Sequence, residues 1–248
     1  MAAGLGTGFA GMSAAVAITP MLVVFLDVPI YEAVGIALAS DVLASGISAF
    51  TYYKSKNVDI KNGILMMVAV LALTTVGSYV GSLVPAMMME GCAFVVTIIM
   101  GIRFIVKPIK EHKKSEKSLK GGKKIAYSLI AGACVGFVCG FVGAGGGMVM
   151  LFMLTSVLGY ELKKAVGTSV FIMTFTALTG AISHFSIGGS PNILCLFSCV
   201  VFTLLWARIA SKMANKLKPI TLNRVTGIIL MAIGFAVGLA ELYKVLVF

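Results

Sequence analysis

Two glycine-rich stretches hold the groups with which this chain could do chemistry. One runs Gly140, Phe141, Val142, Gly143, Ala144, Gly145, Gly146, Gly147, Met148, and the other Gly8, Phe9, Ala10, Gly11, Met12, Ser13, Ala14, Ala15. Both lie inside apolar runs, where each glycine costs roughly 1 kcal/mol relative to alanine in a helix interior, so a regular helix should break at both places. In hydrocarbon, unpaired backbone N–H and C=O groups are tolerated only where they are buried in protein or line a watery cavity. A helix restarting after such a break presents free N–H groups and a positive dipole end, equivalent to roughly half a charge, which suits an anion. The predicted substrate-binding set is therefore backbone at Gly11, Ala14, Gly143, Gly145, Gly146 and Gly147, with the hydroxyls of Ser13, Thr168 and Ser169. A Cβ at Gly145 or Gly146 would fill the space of an oxyanion. The competing reading is that these glycines only let helices cross closely.

A second chemical group is Asp41, about ten residues into the apolar segment 31–53. A carboxyl at that depth costs roughly 2.5 to 3.5 kcal/mol on insertion scales, so it should face the bundle interior. It is the proton-coupling candidate; the plainer alternative is a neutral carboxyl hydrogen-bonded to Ser40, Ser45 or backbone.

The elements that must position these groups follow from composition. The chain has 248 residues, 59% hydrophobic and 12% charged, with a mean hydropathy of +1.05. Soluble domains carry about 25% charged residues, so this is an integral membrane protein whose first partner is the lipid bilayer. Apolar segments of about 20 residues fit an all-α, polytopic helical bundle, and the short alternating segments of an outer-membrane barrel are absent. The net charge of +11 sits between the apolar segments, where Lys and Arg mark a cytoplasmic face, and no nucleic-acid partner is implied. Cys92, Cys134, Cys139, Cys195 and Cys199 all fall in apolar stretches and read as small packing residues rather than a disulfide framework. No basic region followed by a cleavage site opens the chain. Gly6-Thr7-Gly8-Phe9-Ala10-Gly11 spells a dinucleotide fingerprint but lacks the strand and acidic residue of a βαβ unit. Neither a hydrolase nor a metal-ligand motif is present, and the only histidines are His112 and His184, the latter near the outer end of its span. An enzyme, a cofactor and a metal are not expected.

The apolar segments are about 2–26, 31–53, 62–84, 91–107, 125–158, 162–186, 192–212 and 222–247. If these made eight simple crossings with the Lys-rich segment 107–124 inside, Lys163, Lys164, Arg208, Lys212, Lys216, Lys218 and Arg224 would all lie outside, against the positive-inside rule. If 125–158 instead enters and returns to the same side as a glycine-broken hairpin, everything downstream flips. Only Lys244 of the 20 basic residues is then outside.

Sliding the chain on itself by 132 positions aligns Gly4 with Gly136, Gly8 with Gly140, Phe9 with Phe141 and Gly11 with Gly143. The match continues through Met21-Leu22 on Met153-Leu154, Leu26 on Leu158 and Ala33-Val34-Gly35 on Ala165-Val166-Gly167. In the flipped arrangement the copies run opposite ways. Two inverted repeats are predicted, 1–107 and 125–248, each a glycine-broken hairpin plus three spans, joined by a cytoplasmic linker at 108–124. Secondary transporters place a midplane site between such repeats. The linker's lysines could also read anionic lipid.

GFVGAGGGMV together with KKAVGTSVFIM at 163–173, Gly180 and His184 resembles the signature of the TauE/SafE family of sulfite and organosulfonate transporters. Pro20, Ala33-Val34-Gly35, Asn57-Val58-Asp59, Gly77, Gly81 and Leu217-Lys218-Pro219 to Gly227 extend the resemblance over nearly the whole chain. One departure is that Gly35-Ile36-Ala37 stands where the second copy has Gly167-Thr168-Ser169. The resemblance implies secondary transport of a small anion, a sulfur oxyanion or sulfonate, in the inner or plasma membrane. Three alternatives stay open: transport of another organic or inorganic anion, a membrane scaffold or sensor working through the linker, and, for the assembly, a homo-oligomer.

Overall fold

The structure is a computed structural model that describes residues 1–81, 122–142, 146–188 and 191–247, with single positions at 83, 98, 99, 102, 105 and 106. Most of the apolar segment 91–107, the linker up to 121, and Gly143 to Gly145 of the second glycine stretch lie outside the described residues, as does the side chain of His184. Every regular element among the described residues is helical. We number them α1 (Ala2–Leu5, running on as a π turn over Gly6–Ala10), α2 (Ala15–Leu26), α3 (Ile30–Lys54), α4 (Ile60–Gly81), α5 (Gly122–Val142), α6 (Gly146–Phe152, with a π turn over Met153–Val157), α7 (Leu162–Gly188), α8 (Ile193–Lys216) and α9 (Pro219–Val247).

Local sequence explains where these helices start and stop. The π turn of α1 ends at Gly11, whose φ of +61° is left-handed backbone that glycine adopts without strain. Pro29 precedes the first turn of α3, which holds Glu32, and Lys54 closes its last turn, so both charges complement the helix dipole. Asn192 caps α8, its side chain accepting from Leu194 and Cys195 N–H. Four helical stretches are long and apolar enough to cross a bilayer: Glu32–Lys54, Ile60–Gly77, Leu162–Ile182 and Ile193–Lys216. Large apolar side chains such as Phe25, Phe197 and Phe202 are exposed on the outside, as lipid-facing residues are.

The helical pattern after the first glycine stretch recurs after the second: α2, α3 and α4 correspond in order and length to α6 with its π turn, α7 and α8. The equivalent helices α3 and α7 pack side by side, with Leu38 against Gly180, Gly46 against Thr174 and Tyr52 against Gly167. One number rises as the other falls, so the pair is antiparallel. The flanking contacts repeat with the halves exchanged. Gly132 and Gly136 of α5 back onto Met66, Ala69 and Val70 of α4, while Gly4 and Gly8 of α1 back onto Thr203 to Ser211 of α8. The small-residue stripe on α5 is thus a packing surface at Gly132 and Gly136.

Hydrogen bonds decide between the two chain paths. Lys163 Nζ donates to Asn215 O at 3.0 Å and Asn57 Nδ2 donates to Asn215 Oδ1 at 2.7 Å, so residues 57, 163 and 215 share one face. Eight simple crossings would put 57 on the face opposite 163 and 215. Around the same end, Asp59 accepts from Tyr160 Oη (2.8 Å) and Asn62 Nδ2 (2.6 Å), and Lys164 sits over the Tyr160 ring.

Candidate functional site

At the first break the chain leaves its helix at Gly11 and restarts at Ala15, which strips partners from several carbonyls and amides. Three hydroxyls from three helices replace the lost donors. Tyr52 Oη of α3 donates to Gly8 O (2.9 Å), Thr226 Oγ1 of α9 to Phe9 O (3.1 Å) and Ser169 Oγ of α7 to Gly11 O (3.0 Å). All three residues are buried, as a carbonyl in hydrocarbon requires of its donor. Ser169 was expected near the site; Tyr52 and Thr226 were not. The one available signal for them was a hydroxyl-bearing residue within an apolar span.

On the amide side, Ser13 Oγ accepts from Ala15 N–H at 3.2 Å and donates to Asp41 Oδ2 at 2.7 Å. Asp41 is 1% exposed, and its Oδ1 has no hydrogen-bond partner among the described residues. The expected partners, Ser40 and Ser45, bond backbone instead: Ser40 Oγ donates to Ile36 O (2.8 Å) and Ser45 Oγ to Asp41 O (2.5 Å). Both lie on Asp41's own helix, where the carbonyl one turn back is the nearest acceptor. The carboxyl is therefore held across the bundle, at the N-terminal end of α2, where the helix dipole favours negative charge.

The first break meets the start of α6 at Ser169 and Gly147. Ser169 Oγ lies 3.5 Å from Gly147 O as well as 3.0 Å from Gly11 O, and 3.7 Å from Met173 Sδ. A Cβ on Gly147 would stand 2.7 Å from Gly11 O, 2.9 Å from Met12 Cα and 2.7 Å from Met173 Sδ. Gly147 is bare because the backbone of the other break occupies the space a side chain would need. Of the predicted site residues, Gly11, Ser13, Ala14, Gly147 and Ser169 are brought together, with Gly146 next in the chain at the start of α6. Thr168 is turned elsewhere: its Oγ1 accepts from Asp59 N–H at 3.0 Å and so ties α7 to the loop before α4. Gly143 and Gly145 fall outside the described residues. No group of three or more His, Cys, Asp or Glu side chains capable of holding a metal occurs among the described residues.

The junction thus gathers backbone and hydroxyls, with one acid, Asp41, at its edge. Known proteins share this sequence pattern over most of its length. A family described as "Sulfite exporter TauE/SafE" matches residues 1–237. The chain is 27% identical over 244 residues to the probable membrane transporter protein YunE of Bacillus subtilis, covering 93% of this chain and 89% of that one. It is 26% identical to the probable membrane transporter protein YdhB of the same organism, covering 89% of each chain. It is 28% identical over 147 residues to the probable membrane transporter protein YfcA of Escherichia coli K12, covering 58% of this chain and 53% of that one. No solved structure matches.

Proposed function

The chain belongs to the sulfite exporter TauE/SafE family, and from that premise we propose that this multi-pass membrane transporter moves a small anion, a sulfur oxyanion or organosulfonate, by a secondary mechanism coupled to protons through Asp41. Membership places the chain among membrane transporters rather than enzymes, and the scaffold alternative gives way to it.

The single observation that carries the anion reading is the junction of the two breaks. Gly11, Ser13, Ala14, Gly147 and Ser169 bring backbone and hydroxyls to one buried place from both halves of the chain, with Gly146 next in sequence at the start of α6. Backbone amides and hydroxyls are hard donors suited to oxyanions, and they need no buried lysine. The antiparallel packing of α3 on α7 and the exchanged contacts of α1 with α8 and α5 with α4 support two inverted repeats, 1–107 and 125–248, joined by the segment 108–124. With the Lys-bearing face cytoplasmic by the positive-inside rule, rocking of one repeat against the other would open the junction to each side of the inner or plasma membrane in turn.

The test is a flux assay in proteoliposomes loaded with labelled sulfite, with an alkyl sulfonate, sulfate and acetate as competitors. Saturable flux, suppressed by the sulfonate more than by acetate, is the expected result. Saturable flux suppressed best by acetate would replace the sulfur substrate with a carboxylate. An absence of saturable flux or binding for all four would end the anion reading.

A further inference from the structure

The junction of the two breaks is bordered by an acid on one side only, and the role proposed for that acid rests on the anion reading of the junction. Ser13 Oγ takes the Ala15 N–H and donates to Asp41 Oδ2. The amide end of the 12-residue helix α2 is thus already served by a carboxyl of the protein itself. Oδ1 of that carboxyl is buried and without a partner among the described residues. At the 132-residue offset Ser13 becomes Gly145 and Asp41 becomes Met173, so the second break has neither the hydroxyl nor the acid. Yet the first break touches the start of α6, through Ser169 Oγ between Gly11 O and Gly147 O and through the closeness of Gly147 to Gly11 and Met12.

A substrate anion at this junction would therefore sit near a second negative group in a medium that screens poorly. We propose that Asp41 takes up one proton as the substrate anion binds, so that anion and proton load together and leave together. The new O–H bond forms at Oδ1, the free oxygen, while Oδ2 keeps the Ser13 hydroxyl; no electrons are transferred. The two halves are unequal in sequence: Ser13 and Asp41 of the first have Gly145 and Met173 as their counterparts in the second.

Of the other titratable groups, Cys199 of α8 lies level with this carboxyl, by the parallel register that pairs Glu32 with Asn192, Ser48 with Ala207 and Asn57 with Asn215, and the rest lie toward the ends of their elements. Of the elements packed on α3, α1 brings only the Met1 amino group, α2 brings none, and α7 brings Lys163 and Lys164 at its start and His184 near its end. The antiparallel register sets the backbone of His184 level with Gly35, on the side of Asp41 remote from the lysines. Helix α8 brings Cys195 and Cys199, and further on Arg208, Lys212 and Lys216 toward the face that holds Lys54; α3 itself adds Tyr31, Glu32, Tyr52, Tyr53 and Lys54 nearer its ends.

The experiment is titration of the full-length protein in detergent with methanesulfonate, which stays an anion throughout the working pH range, in weakly buffered solution with a pH indicator. Native protein should take up about one proton per anion bound, and its association constant should fall about tenfold per pH unit where Asp41 is ionised in the empty protein. Asp41→Asn should bind without proton uptake and lose the pH dependence. Met173→Asp, which sets a second acid beside the junction, should weaken binding at neutral pH and raise the proton uptake per anion. Methanesulfonate binding to native protein with no proton uptake overturns the proposal and leaves the anion site standing. An unchanged pH dependence in Asp41→Asn does the same. If native protein shows no methanesulfonate binding at any pH, the anion reading fails and this inference with it. The proton count on native protein stands even if a variant does not fold.

Discussion

The first and second glycine breaks occupy equivalent places in the duplicated chain but are finished by different chemistry. Around the first, three hydroxyls close the carbonyls of Gly8, Phe9 and Gly11, and Ser13 with Asp41 closes the amide end. The equivalents of Ser13 and Asp41 at the second are Gly145 and Met173, and the described glycine there, Gly147, is pressed against the first break's backbone. On the proposed duplication, two matching glycine stretches differ by a few side chains, and under the proposal they have separate tasks. A glycine in this molecule can be bare for two reasons, contact with protein or room for a ligand, and the contrast between the breaks separates the two.

The largest expected effect is at Gly167. A Cβ there would run into Asn57 O and stand 2.8 Å from Tyr52 Cβ, with backbone on one side that cannot yield. Gly167→Ala should destabilise by about 3 kcal/mol or more, at the upper end of what overpacking costs, read as a lower melting temperature in detergent. Gly147→Ala should follow at about 1–3 kcal/mol, because Met173 Sδ can move whereas Gly11 O and Met12 Cα cannot. An unchanged melting temperature for Gly147→Ala would mean that the breaks are not in contact.

Next in size is Tyr52→Phe, which leaves the buried Gly8 carbonyl without its donor. The expected loss is about 1–2 kcal/mol, the upper range for hydrogen bonds between membrane helices, with anion affinity kept because the hydroxyl bonds Gly8 O and not the Gly11 and Gly147 backbone at the junction. The smallest effect contrasts neighbours on α7. Thr168→Val should cost about 0.5–1.5 kcal/mol by removing the acceptor for Asp59 N–H and leave methanesulfonate affinity unchanged. Ser169→Ala should lower that affinity, since its hydroxyl is the one that touches both breaks. Equal effects of the two substitutions on affinity would erase the distinction drawn between them.

Chain path offers a separate check. Cysteines placed singly at Lys56, Ser118, Lys164 and Lys216, in a background without native cysteines, should resist an impermeant thiol reagent applied outside intact cells. Labelling at 164 and 216 alone would restore eight simple crossings and contradict the hydrogen bonds that join Asn57, Lys163 and Asn215.

Much of this was legible in the residues because it depends on local rules. Glycine density marks a helix break, basic residues mark a face, and the 132-residue repeat pairs Ala33-Val34-Gly35 with Ala165-Val166-Gly167 whatever the packing. Asp41 could be assigned to the interior from its cost in lipid alone. Its partner could not. Ser13 is 28 positions away, and only the packing of α2 on α3 brings it closer than the serines next door. Tyr52 and Thr226 were equally hidden, since their acceptors, Gly8 and Phe9, are reached across the bundle. Thr168 and Ser169 read alike in sequence, yet their positions on α7 turn one hydroxyl to the loop at Asp59 and the other to the breaks. Side chains one residue apart on a helix point about 100° apart, and which direction holds the site depends on the neighbours.

The central claim, that the breaks meet to hold an anion, is tested most directly at Gly146, which precedes the packed Gly147 and opens α6. Methanesulfonate affinity and melting temperature should be measured together in detergent for native protein and Gly146→Val. The expected result is an affinity loss of about tenfold or more, the effect of about 1.4 kcal/mol, with the melting temperature unchanged. A lower melting temperature with native affinity in the surviving protein would make Gly146 a packing residue like Gly147, and the site would then lie elsewhere.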